Sequence, residues 1–254
     1  MASVLQSVGG HTAGAQANIQ LALPGNVAAN SVILVGVINY DIASSHQLTP
    51  AHFSDTRSGV YASVPTSRYA DANQEMQFWW ARVPSAGAFT LTITPPVSEW
   101  FAVVVWEVSL SASTATPTFV GSYGSGTGTA IATGNLVTTE DAIILGVATQ
   151  VSAAATIALT PDATKYTEDQ HDYDGDGYYP YSGCHRTTVP IGAGTYTVTW
   201  VAASSVGWRC TAVAISDAPA TLTGTAAAGI TEADIVTGGK TIILTLTGDT
   251  FIAA

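Results

Sequence analysis

The sequence predicts an all-β protein: a two-sheet β-sandwich, jelly-roll-like, built from two pseudo-repeats and followed by a short C-terminal β extension. Three observations support this fold class. No window of twelve or more residues places apolar side chains at helical spacing. Short segments of strand-like alternation, and short apolar runs, recur between Gly- and Pro-containing turns. Several of these segments also occur twice.

The repeated segments keep the same order and a nearly constant offset, which predicts an internal duplication. They place the pseudo-repeats at about residues 17–109 and 129–217. The matched blocks are Ser31–Val37 with Ala142–Val147, Val83–Thr94 with Val189–Trp200, and Trp100–Trp106 with Trp208–Ala214.

The strands are predicted to be of two kinds. Phe89–Thr94 and Tyr196–Trp200 alternate apolar and polar residues, as in a sheet with one buried and one solvated face. Val32–Val37, Phe101–Trp106 and Ala142–Val147 are continuously apolar, which is typical of central strands covered on both faces.

The Ser-, Thr- and Gly-rich stretch Ser109–Gly128 joins the repeats, and its composition predicts a flexible crossover with a linker at 110–128. Because each repeat has only five or six strands, we favour one sandwich over residues 1–217 made of two half-units. Two separate immunoglobulin-sized domains are the alternative.

Residues 218–254 are predicted to form a separate C-terminal β module, because the composition changes there: residues 221–254 contain no Trp, Tyr or Cys. One strand, Thr241–Thr247, with a weaker partner, Ile230–Val236, cannot bury an apolar face alone. We therefore expect this tail to pack on the sandwich, to pair with another subunit, or to be an incomplete module.

Charge excludes two classes of partner. The net charge is −11, with seven cationic residues against eighteen acidic ones. Nucleic acid and anionic membranes both require clustered cations, so neither is expected. The chain shows no signal peptide and no apolar run near the roughly 20 residues that a membrane helix needs. Such a β-rich, charge-poor chain suits a particle assembled in the cytoplasm, such as a virion, and an extracellular location is the alternative.

One acidic loop has the spacing of a calcium site. Asp172, Asp174 and Asp176, followed by Gly177, match the first positions of an EF-hand loop, but Gly183 stands where a bidentate Glu is needed. Ca²⁺ is thus a candidate cofactor, with Glu168 or Asp169 as further ligands. The alternative is a solvated acidic hairpin tip.

Aromatic residues give the candidate ligand-binding residues. Tyrosine with Asp and Gly is typical of recognition loops, and a Trp pair can form a stacking platform for a host-surface glycan. Strand alternation sends one Trp of the pair inward, and the tyrosines can instead cap the sandwich. The candidates are Tyr173, Tyr178, Tyr179, Tyr181, Trp79 and Trp80.

Cys184 and Cys210 lie on two predicted strands, where they can form a cross-strand disulfide or remain two buried thiols. No zinc site, nucleophile elbow or phosphate loop is present in the sequence, and no carboxylate pair is singled out. We therefore expect no catalytic residues and no enzymatic activity.

The duplicated pattern over residues 17–217, with Asn30–Val37 and Trp79–Pro84, resembles β-sandwich units of tailed-bacteriophage virion proteins. Residues 230–251 resemble a module appended to phage structural proteins. The resemblance implies a capsid decoration (cement or head-fibre) protein, or a tail-fibre component. It also implies major capsid or tail proteins as partners and a homo-oligomer, either a trimer or a dimer.

Two alternatives accompany this structural role. The first is a glycan-binding adhesin module that uses the loop at 168–181. The second, a polysaccharide hydrolase, lacks a nameable carboxylate pair.

Overall fold

A computed structural model describes residues 3–12, 14–40, 47–71, 74–110, 116–139, 141–151, 158–172, 180–187 and 191–217, and two short strands at 223–224 and 251–252. The chain divides into two compact units, Met1–Asp217 and Ala218–Ala254. Within the described residues no helix is long and apolar enough to cross a membrane.

The first unit contains strands and one short 3₁₀ helix at Pro50–His52. The first half of this unit holds β1 to β9, and the second half holds β10 to β17. The strands are β1 (Ser3–His11), β2 (Ile19–Val27), β3 (Val32–Tyr40), β4 (Phe53–Asp55), β5 (Ala62–Ser63), β6 (Tyr69–Ala70), β7 (Gln74–Arg82), β8 (Gly87–Ile93), β9 (Trp100–Ser109), β10 (Pro117–Ala132), β11 (Leu136–Thr138), β12 (Ala142–Gln150), β13 (Leu159–Pro161), β14 (Tyr166–Asp172), β15 (Tyr181–Arg186), β16 (Gly194–Tyr196) and β17 (Thr199–Asp217).

The predicted all-β sandwich fold and its duplication are confirmed. Each half builds one large antiparallel sheet, in the order β1-β9-β3-β7-β5 in the first half and β10-β17-β12-β15-β14 in the second. Corresponding strands occupy corresponding places, so β1, β9, β3 and β7 match β10, β17, β12 and β15. Each half adds a smaller sheet, β2-β8-β4 in the first and β11-β16 in the second.

The repeat is longer than the sequence predicts, because each copy begins with an edge strand. β10 pairs with β17 from Pro117 to Ala132, just as β1 pairs with β9. The predicted linker at 110–128 is therefore wrong for residues 117–128, which form a strand. Gly121, Gly124 and Gly126 in this strand have no room for a side chain: a Cβ on Gly126 would lie 2.8 Å from the Trp208 ring.

Three apolar clusters fill the first unit. One lies between the first large sheet and its small sheet, and includes Phe53, Trp79 and Phe89. A second lies within the second half, and includes Trp200 and Cys184. The third, which we call the seam core, contains seventeen buried residues, eleven from the first half and six from the second.

The seam core is where the two large sheets face each other. Val32, Leu34 and Ile38 of β3 reach it from one side, and Ile143, Leu145 and Val147 of β12 reach it from the other. The intervening residues of each strand point into that half's own cluster. The central strands β3 and β12 are buried at every position, as the sequence predicts.

The two large sheets, one from each half, thus face each other as a two-sheet sandwich, and each half adds a smaller sheet on the other face of its large sheet. Each half forms a sandwich of its own, and the two sandwiches share a core through their large sheets. The physical reason is that both faces of each large sheet are apolar, while each small sheet covers only one of them.

The second unit is described only at β18 (Thr223–Gly224) and β19 (Phe251–Ile252), which pair antiparallel. The predicted strands Ile230–Val236 and Thr241–Thr247 lie outside the described residues.

Two glycines, one from each half, set the spacing across the seam core. A Cβ on Gly36 would lie 2.8 Å from Val147 Cγ1 of the other half. A Cβ on Gly183 would lie 2.8 Å from Val104 Cγ2 and 3.3 Å from the Trp106 ring. The absence of a side chain at both positions lets the sheets approach closely.

We predict that Gly183→Ala lowers the free energy of unfolding by about 1 to 3 kcal/mol, because the new methyl group overpacks the seam core. The matched control is Gly192→Ala, where a Cβ has no heavy atom within 4 Å. Urea denaturation of both variants measures the difference. Equal stability of the two variants would contradict the tight seam.

Candidate functional site

The candidate site lies on the β14–β15 hairpin, which carries the acidic loop that the sequence singles out. Asp172 at the end of β14 pairs with Tyr181 at the start of β15, so these two residues mark the base of the loop. The other residues of this loop that are predicted for metal or ligand binding lie outside the described residues: Tyr173, Asp174, Asp176, Tyr178 and Tyr179.

Asp172 has a protein partner at this base. Its carboxylate forms an ion pair with the imidazole of His11, which belongs to β1 of the first half. Among the described residues, no group of three or more His, Cys, Asp or Glu side chains is placed to hold a metal ion. Because Asp174 and Asp176 are not among them, the calcium site stays a prediction.

Tyr181 is not placed to bind a ligand, which corrects the prediction. Its side chain is 2% exposed and belongs to the seam core. Burial, and then the nearby charge of Asp172, raise the pKa of its phenol. Strand alternation explains the result, since Tyr181 and Gly183 both face the first half.

The tryptophan pair does not form an exposed platform. Trp79 is 3% exposed and packs on Phe53, with ring centroids 4.6 Å apart. Trp80 points to the opposite face, where its half-buried ring lies 5.0 Å from that of Phe119. The predicted alternation is correct, but Trp79 is a core residue and Trp80 packs against the second half.

The two cysteines do not form a disulfide. Both are free and buried, and they lie on β15 and β17, which flank β12. Strands two apart in a sheet are separated by roughly 10 Å, beyond the reach of a disulfide. Burial raises the pKa of both thiols. The alternative interpretation, two buried thiols, is the one that the structure supports.

A β-bulge in β14 creates the most connected polar group of the site. The register shifts between Glu168 and Gln170, and Asp169 is the extra residue. A bulge redirects one side chain, and here the Asp169 carboxylate meets the first half. Its Oδ2 accepts a hydrogen bond from Trp106 Nε1 at 2.7 Å, and its Oδ1 lies 2.7 Å from His185 Nδ1.

We call Trp106, Asp169 and His185, together with the pair His11–Asp172, the seam cluster. It joins the halves at two points, because Trp106 and His11 come from the first half and the other three residues from the second. The Trp106 ring is fully buried in the seam core, so Asp169 satisfies an indole N–H that has left water.

The chemistry available at this site is limited in the described residues. A carboxylate-oriented imidazole at His185 is one element of a general base. Ser182 of the same strand is fully buried and donates its hydroxyl proton to Glu168 Oε1 at 2.9 Å, so it is not held as a nucleophile for His185. The arrangement connects elements of structure and does not resemble a Ser-His-Asp triad.

Other carboxylates in the described residues serve the same purpose. Glu107 is buried and accepts hydrogen bonds from Gln6 Nε2 at 2.6 Å and from the Ala28 amide at 2.7 Å. Asp55 accepts hydrogen bonds from the Arg57 amide and from the Tyr61 hydroxyl. These carboxylates fix backbone and side-chain positions.

Sequence reasoning missed the roles of Trp106, Asp169 and His185. Their association depends on a one-residue bulge and on packing between the two halves, which no local pattern reports. The only available signal was that His185 and Asp169 would lie on adjacent strands of one hairpin.

No protein-family model, curated protein or solved structure matches the chain.

We predict that Asp169→Ala lowers the free energy of unfolding by about 2 to 3 kcal/mol, because it leaves the buried Trp106 N–H without an acceptor. Asp141→Ala is the matched control, since Asp141 is exposed, and its stability should stay close to that of the parent chain. Thermal and urea denaturation measure both variants. If the Asp169→Ala chain is as stable as the control, the seam cluster does not stabilise the junction between the halves, which would contradict this account.

Proposed function

We propose that the chain is a structural protein of the surface of a tailed-phage virion, with capsid decoration (a cement or head-fibre role) as its specific task. The sequence resemblance over residues 17–217 and 230–251 supports the phage assignment. The role is mechanical: the protein stabilises or decorates the particle by packing against other subunits.

The observation that carries this proposal is the seam core. The two sandwiches share a core of seventeen buried residues, in which the apolar faces of the two large sheets cover each other. Fully burying one large apolar side chain contributes about 1.5 to 3 kcal/mol. Separating the halves would expose many such side chains to water, so the halves stay together. Such a shared core suits a component whose role is to keep its shape while it packs against other subunits.

The use of charge is consistent with a scaffold. In the described residues, ion pairs tie strands together: Arg209 with Asp71, Arg68 with Glu75, and His185 with Asp169. The Asp71–Arg209 pair joins the two halves. The charged side chains in these pairs bind each other, so they serve the structure and are not placed to polarise a substrate.

The exposed surface is suited to packing against neighbours. Several of its aliphatic side chains are exposed in the described residues: Leu5, Val60, Val97, Val137 and Val201. Uncharged surfaces can be buried without the cost of desolvating ions. The proposed partners are major capsid or tail proteins and further copies of this chain, in a trimer or a dimer.

Localisation on the particle tests the proposal. We predict that an antibody raised against the full chain labels purified virions of the source phage evenly over the head. Labelling is read by immunogold electron microscopy, with pre-immune serum as the control. Label confined to the tail would replace decoration by a tail role, and absence of the protein from purified virions would overturn the virion assignment.

A further inference from the structure

Tyr123 stands apart among the aromatic residues of the described part of the chain. Its side chain is 49% exposed, whereas the other large apolar side chains of high exposure there are aliphatic: Leu5, Val60, Val97, Val137 and Val201. Tyr123 lies on β10, and alternation places Ser125 and Thr127 on the same exposed face. A tyrosine ring beside two hydroxyls is thus presented to solvent.

The ring of Tyr123 is supported from behind by a fixed group of side chains. It meets the ring of Tyr69 edge to face, with centroids 5.7 Å apart. The guanidinium of Arg209 lies 5.2 Å from the centroid of the Tyr69 ring. A cation over one ring, and a ring edge against the next, are both favourable arrangements.

Asp71 holds this group in place. Its Oδ2 accepts hydrogen bonds from Arg209 Nε at 2.9 Å and Nη2 at 2.7 Å, and from the Tyr69 hydroxyl at 2.9 Å. The backbone of Tyr123 is fixed as well, because its carbonyl accepts a hydrogen bond from the Gly134 amide at 3.0 Å. A surface fixed before binding loses little conformational entropy when a ligand arrives.

The polar groups around the ring are neutral in sum. The charge of Arg209 is balanced by Asp71, and Ser125, the cross-strand partner of Arg209, contributes a hydroxyl. The whole chain carries −11, which disfavours an anionic ligand. The surface therefore fits a ligand that is uncharged, rich in hydroxyls and apolar on one face.

We propose that Tyr69, Asp71, Tyr123, Ser125, Thr127 and Arg209 form a binding site for a neutral sugar, which we call the β10 site. A pyranose ring has an apolar C–H face that can lie on the exposed ring of Tyr123. Its hydroxyls can exchange hydrogen bonds with Ser125, Thr127 and the guanidinium of Arg209. The ligand class is a neutral hexose or N-acetylhexosamine oligosaccharide.

None of its residues belongs to the acidic loop at 173–179, and the proposal does not depend on the virion assignment. It joins residues of both halves, since Tyr69 and Asp71 belong to the first half and the others to the second. A sugar bound there would contact the protein across the junction that the seam core holds together.

A printed array of neutral and sialylated oligosaccharides, probed with the full chain, tests the proposal. We expect binding to neutral glycans, and titration calorimetry with the bound glycan then compares variants. Tyr123→Ala should lower the association constant by about tenfold, because the loss of a ring contact is worth on the order of 1.4 kcal/mol. Tyr123→Phe should stay close to the parent chain.

The controls separate this site from others. Val137→Ala removes an exposed apolar side chain on β11 and should leave binding unchanged. Because Tyr123 is half exposed, Tyr123→Ala should keep the parental melting temperature, which the same samples report. The proposal is overturned if the array shows no neutral glycan bound, or if binding is lost with Asp174→Ala and kept with Tyr123→Ala.

Discussion

Both large sheets are apolar on both faces, and this constraint determines the rest of the structure. Each half has a small sheet that covers one face of its large sheet, which leaves the other face without cover. In the described residues, that face packs on the equivalent face of the other half to form the seam core. The duplication therefore produces two sandwiches that complete each other, with Gly36 and Gly183 setting how closely they approach.

The polar features follow from that shared core. Burying Trp106 at the junction requires an acceptor for its N–H, and the bulge in β14 supplies the carboxylate of Asp169. Two ion pairs with partly exposed side chains, His11–Asp172 and Arg209–Asp71, join the halves outside the buried seam core. The exposed face of β10, proposed above as a sugar site, lies beside the Arg209–Asp71 pair.

Strand type could be predicted from the sequence, but contacts between the halves could not. Continuous apolar runs such as Phe101–Trp106 are buried on both faces, because period and hydrophobicity are local properties. The prediction of a linker before Gly128 was wrong, because Gly, Ser and Thr are typical of linkers. In β10 these small residues instead allow close packing, which depends on tertiary contacts. The predictions for Tyr181 and Asp169 failed for a related reason. The strand register decides which face Tyr181 occupies, and the bulge decides which face Asp169 occupies, and neither can be predicted from the local sequence.

Native-state hydrogen exchange in increasing urea tests the shared core most directly. The strands β3 and β12 belong to different halves, are buried at every position, and meet through their side chains in the seam core. If the halves form one cooperative unit, these amides exchange with the same free energy of opening and the same urea dependence, equal to those of global unfolding. Opening of β12 and β15 at a lower free energy, while β3 and β7 stay protected, would show two independent sandwiches and contradict this account.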